Sequence, residues 1–200
     1  MNATLDGRSE LSVEFIEMDT DDFWQIIDSV HDASGGGMDR KSELLRDRLS
    51  ELDPHELKDF INLFDTVNAA AYTWSLWGAA YVIHGGCSDD SFSDFRASLI
   101  SHGRTTFVNA LENPESLADV DLGDVDDLFY EGYQYVMMDV AEKTLAESPE
   151  RAVRFPSNPA GEEWDEDSVD QWYPKLAAKF SGDQGGDEPP RPKKPCWKFW

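Results

Sequence analysis

Cysteine is scarce in this chain: Cys87 and Cys196 are the two among 200 residues. So few thiols build no disulfide framework, and a reducing cytoplasm is the expected setting. Positive charge is short as well. Lys and Arg total 17 against 41 Asp and Glu, which leaves a net charge of −24. Such a surface repels phosphate backbones and anionic headgroups, so nucleic acid is not an expected partner. No apolar run approaches the ~20 residues that would cross a bilayer, so no membrane span is expected. The opening Met1-Asn2-Ala3-Thr4-Leu5-Asp6 has neither a basic nor an apolar stretch, and no signal peptide is expected. The final Trp197-Lys198-Phe199-Trp200 lacks the cysteine of a prenylation box. Phosphate loops, dinucleotide fingerprints, nucleophile elbows and zincin patterns are all missing, and no cofactor is expected.

What is present is helical periodicity. The 40% hydrophobic content is enough for a core, which excludes a fully disordered chain. Residues 1–19 read as a loose arm, 20–180 as one helical domain, and 181–200 as a disordered Pro/Lys/Trp tail. Thr20 reads as an N-cap for a helix carrying Phe23, Ile26, Ile27 and Val30, ended at Gly35. A second helix has Leu44, Leu45, Leu49 and Leu52 inside, with Arg40, Lys41 and Glu43 on its wet side. Asp53-Pro54-His55-Glu56 is a strong start, with capping box and first-turn proline together. The following stripe runs past Phe64 toward Trp74. Residues 76–83 are apolar all round and read as a central buried helix, with Gly78 letting a neighbouring helix approach. Ser88 caps the next helix, Thr105 a short one, and Asn113-Pro114 breaks the chain. A long pattern from Leu128 to Leu145 reads as helix. Trp172, Leu176 and Phe180 belong to a last ordered piece. The expected fold is all-α, a single irregular helical bundle.

The run from Leu76 through Trp77-Gly78-Ala79-Ala80-Tyr81-Val82-Ile83-His84-Gly85-Gly86-Cys87-Ser88-Asp89-Asp90, continued by Phe92, Asp94-Phe95-Arg96 and Leu99-Ile100, resembles a bacterial family of domains of unknown function, number forty-two-forty. Phe23-Trp24, the Asn113-Pro114-Glu115-Ser116-Leu117 turn and the Trp164-Asp165-Glu166-Asp167 segment resemble it too. The resemblance implies one helical domain in a soluble bacterial protein and no known activity.

Candidate chemistry gathers in residues 84–96. His84, Cys87 and Asp90 are the candidate metal ligands, since His and Cys three apart can share an ion and carboxylates suit harder ions. Cys87, Asp89, Asp94 and Arg96 are the candidate catalytic residues, with His102 nearby in sequence. The plainer reading gives Ser88, Asp89 and Asp90 to helix capping and Cys87 to the core, with no metal bound. Tyr72, Trp74, Trp77 and Tyr81 could stack on a planar ligand, or pack as core. Arg96 and Arg104 could bind an anion, or pair with Asp89, Asp90 or Asp94. The tail 189–200 is the candidate partner-binding element. It has four basic residues and no acid, and it carries Trp197, Phe199 and Trp200, aromatic anchors on a proline-stiffened strand. The expected function is a protein-interaction or regulatory module, with a protein partner taken through that tail. The alternative is a small hydrolase or ligand-binding enzyme using the 84–96 loop.

Overall fold

The computed structural model describes residues 18–145, 149 and 153–180. Among these, 69% are helical, in nine α-helices and three 3-10 helices, and none is in a strand. The chain starts with α1 (Thr20–Ser34), whose N-cap is Asp19 rather than Thr20. The Asp19 carboxylate accepts from the amides of Asp21 and Asp22, and Asp22 returns a bond to the Asp19 amide. A residue with extended φ and ψ and two free acceptor lone pairs caps better than the threonine beside it. Gly35 ends α1 at φ 69°, in the left-handed region.

Helix α2 (Met38–Ser50) packs along α1 and buries Met38, Lys41, Ser42, Leu45 and Leu49. Lys41 therefore lies inside and not on the wet side. Helix α3 (Pro54–Ala70) begins with the expected Asp53–Glu56 capping box, but it stops at Ala70 instead of running to Trp74. Thr73 turns extended there and its hydroxyl accepts from the Leu76 amide, starting α4 (Trp74–His84). The break is pinned from outside. The Trp74 amide donates to the Ala160 carbonyl and the Ala160 amide donates to the Tyr72 carbonyl, both at 2.9 Å.

Every residue from Leu76 to Ile83 is buried, so α4 is the central helix. What approaches Gly78 is not a helix backbone but two aromatic side chains. A Cβ there would sit 2.9 Å from the Trp164 indole and 3.0 Å from the Tyr173 ring. Helix α5 (Asp89–Ile100) is capped by Ser88, as the sequence indicates. Helix α6 (Arg104–Glu112) has its cap position at Gly103, two residues before Thr105, and it borrows its cap. Asp28 of α1 accepts from the Arg104 amide at 2.8 Å.

The Leu128–Leu145 pattern is broken into α7 (Val125–Leu128), a 3-10 turn (Tyr133–Tyr135) and α8 (Val136–Thr144). The break follows from Tyr130 folding over Gly132: a Cβ on Gly132 would lie 2.6 Å from that ring. Tyr133, turned inward by the 3-10 geometry, is fully buried. The segment before α9 (Pro174–Phe180), together with α9 itself, packs on α4. Lys179 seals the preceding 3-10 helix (Pro114–Asp119) by donating to the carbonyls of Leu117, Ala118 and Val120. A cation at the carbonyl end of a helical turn satisfies its orphan acceptors. No helix among the described residues is long and apolar enough to cross a membrane.

Candidate functional site

Helix α5 divides the residues that the sequence groups together. Asp89, Phe92 and Arg96 recur at helical spacing on one stripe, while Asp90 and Asp94 lie on another. His84 is exposed and Cys87 is buried, although they are three residues apart. The His84 ring rests on Phe129 with centroids 4.3 Å apart, and its Nδ1 lies 2.7 Å from the Gly86 carbonyl. Cys87 packs in the core, and its carbonyl accepts from the Trp77 indole at 3.1 Å. Among the described residues no three His, Cys, Asp or Glu side chains are grouped to hold a metal ion.

Arg96 is 3% exposed. It does not pair with Asp89, Asp90 or Asp94. Its Nε donates to the Asn68 amide oxygen at 3.0 Å, and its guanidinium lies 4.7 Å from the ring centres of Tyr72 and Phe92 and 5.0 Å from that of Phe155. Three ring faces replace water around the cation. Its Nη1 has no hydrogen-bond partner. Burial pulls the guanidinium down to about 10, against the favourable charge of Asp89. Phe92 continues a stacked column through Trp77 to Trp74, with ring planes 11° and 9° apart. The candidate aromatic platform is thus internally stacked. Tyr81 leans separately on Trp164. Arg104 also pairs elsewhere, with Asp21 at 2.6 Å.

Asp94 sits on the other stripe, half-buried, accepting from Gln134 Nε2 at 2.7 Å. Burial raises its carboxyl to about 6, and the charges of Glu131 and Asp90 push the same way. Two like charges beside a partly desolvated carboxyl favour the protonated form.

A third polar group escapes the sequence reading. Lys41 of α2 is wholly buried, and its Nζ donates to Ser101 Oγ at 3.2 Å. Ser101 in turn donates to the Ser98 carbonyl at 2.6 Å. His102 is buried beside them, its ring 5.6 Å from that of His31. Burial holds Lys41 down to about 8, and burial with the Lys41 and His31 charges holds His102 down to about 3. Ser98 Oγ, His102 Nε2 and His31 Nδ1 have no protein partner. The missed signal is spacing. Positions 38, 41, 42, 45 and 49 form one helical core stripe, and Lys41 is on it. Trp197, Phe199 and Trp200 lie outside the described residues.

The three polar groups sit on a scaffold with known kin. The family described as protein of unknown function (DUF4240) matches residues 18–143. The chain belongs to this family. The DUF4240 span runs from the residue before the α1 cap into the last turn of α8, and it carries all three polar groups except Phe155. The Trp164-Asp165-Glu166-Asp167 part of the resemblance lies beyond it. No curated protein and no solved structure matches the chain. DUF4240 membership therefore assigns kinship and no chemistry.

Proposed function

We propose that this chain is a non-catalytic protein-interaction module with a regulatory role, and that residues 189–200 are its docking element, through Trp197, Phe199 and Trp200. The observation that supports this reading is the division of the 84–96 residues. A reaction needs a nucleophile or base, an orienting group and a place for the reacting atom within reach of one another. Here Cys87 and Arg96 are buried, Asp89 stands in the first turn of α5, and Asp94 faces a different neighbour. The experiment is covalent cross-linking in a lysate of the source cells, with the full chain and the chain ending at residue 188 as parallel baits. The expected result is a protein captured by the first and lost with the second. Identical captures overturn the reading.

A second reading, a small hydrolase or ligand-binding enzyme, draws on Asp94. A half-buried carboxyl raised to about 6 is suited to general acid–base work near neutral pH. It requires hydrolysis of simple esters or phosphates by the purified chain, rising through pH 6 and lost in Asp94→Asn. An inactive parent chain disposes of it.

A further inference from the structure

A groove opens where the start of α1, the end of α2 and the start of α3 meet. It encloses about 410 Å³ and is lined by Met18, Asp22, Gln25, Ile26, Ser29, Arg48, Leu52 and Glu56. That volume falls in the range of ~300–1,000 Å³ of sites that hold compact ligands. Met18, Ile26 and Leu52 give it an apolar floor. Its rim is acidic. Asp22 and Glu56 line it, and Asp19 and Asp53 stand at the caps of the same two helices. Arg48 is the cation on the wall, and Glu51 already holds its guanidinium at 2.9 Å.

We propose that this groove receives the chain's own C-terminal segment, residues 189–200, with a tryptophan of Trp197 or Trp200 on the apolar floor and the Lys and Arg side chains along the acidic rim. The proposal rests on the reading of that segment as a docking element and names its resting place. Charge selects the occupant. The segment carries Arg191, Lys193, Lys194 and Lys198 without an acid, which is +4 in side-chain charge. The other end of the chain leads directly into Met18, but residues 1–17 hold Asp6, Glu10, Glu14 and Glu17 against Arg8, 1 − 4 = −3, and the rim repels them. Reach permits it. The 17 steps from Phe180 to Trp197 span up to about 56 Å when extended, which is close to the longest path over the surface of a domain about 40 Å across. Tethering gives an effective concentration near ~1 mM, so a weak contact suffices in cis. A partner that takes the tail must first draw it out, and the docked tail sets a threshold for binding.

The test attaches a nitroxide label to Cys196 of the full chain and reads paramagnetic broadening of backbone amides. Cys87 is 2% exposed, which directs the label to Cys196. The expected result is broadening confined to amides of residues 18–29 and 48–56, abolished by Trp197→Ala with Trp200→Ala. Broadening elsewhere, or none, overturns the proposal. So does broadening that appears only between labelled and unlabelled copies in a mixture, which would make the occupant a second chain. Deleting residues 2–14 should leave the pattern intact, and broadening at these amides that appears only after that deletion would give the groove to the N-terminal arm and overturn the proposal. None of these measurements involves a partner, so a null result here and a null result in the lysate experiment stand apart.

Discussion

Lys41 has an ammonium in the core with Ser101 Oγ as its hydrogen-bond partner and Asp127 as its favourable charge. The fold prefers it neutral, and its value falls from 10.5 to about 8. Below pH 8 the folded chain carries the whole cost of the buried charge. Between 8 and 10.5 the unfolded chain holds a proton that the folded chain has released, so this group makes stability rise with pH there. Lys41→Met keeps the length and removes the charge. It should stabilise the protein by about 1–3 kcal/mol at pH 7, with the gain shrinking as pH climbs past 8. Urea melts of both chains at pH 7 and 9.5 measure it. A variant weaker than the parent at pH 7 would show that an anion holds the amine. Asp94 runs the other way in pH. Its value rises from 3.8 to about 6, so its contribution is present below 3.8 and lost as pH climbs through 6. Asp94→Asn still accepts from Gln134. It should match the parent near pH 4 and exceed it by about 1 kcal/mol at pH 7, after allowance for solvent screening. Equal melting points across that range would refute the raised value. Asp94 stood among the candidates of the 84–96 segment, but Lys41 was not legible from charge patterning, because a polar letter on a helix reads as solvent-facing until the stripe of neighbours at i+4 and i+8, Leu45 and Leu49, is laid beside it.

Helix starts were largely legible, because capping chemistry is local: Asp53 with Glu56, and Ser88 before Asp89-Asp90, act within one turn. Helix ends and breaks imposed from a distance were not. Ala160, some 90 positions away, terminates α3 by taking and giving bonds at Tyr72 and Trp74, and Asp39 of α2, accepting from the Tyr130 hydroxyl at 2.7 Å, holds the ring that stops the 128–145 pattern over Gly132. Gly78 shows both sides. Its smallness in an apolar helix announces a close approach, yet the partners are the rings of Trp164 and Tyr173, from a part of the sequence with little periodicity. Because the Trp164 and Tyr173 rings close on the position that a Cβ would take, any side chain drives them off. Gly78→Leu should lower stability by about 3 kcal/mol or more, at the upper end of overpacking costs. Its signature is local. The Trp164 indole leaves its site, so tryptophan fluorescence shifts to the red before the helical circular dichroism falls. An unchanged melting temperature would mean that these rings do not rest on α4.

At the scale of the whole molecule, the family match ends at residue 143 while the packed structure continues to Phe180. Residues 153–180 return over α4 and bury Trp164, Val169, Tyr173 and Leu176. Tyr173 also donates to the Ser75 carbonyl at 2.7 Å, the Lys175 amide donates to Glu115, and Lys179 seals the 3-10 helix. Each buried side chain of this kind contributes about 1.5–3 kcal/mol. Four of them, even after a discount for the entropy of ordering the strap, are of the same order as the ~5–15 kcal/mol that separates a folded domain from its unfolded chain. Removing the strap also leaves the Gly78 face of the most apolar helix open to water, an exposed patch on a chain whose remaining surface is acidic. A chain cut after residue 145 should therefore fail to give a cooperative melt and should bind a hydrophobic dye, whereas one spanning 18–180 should melt within a few degrees of the full length. Differential scanning calorimetry of the two decides it. A cooperative transition in the shorter chain, near the parent temperature, would place the folding unit within the family span and reduce the strap to a surface attachment.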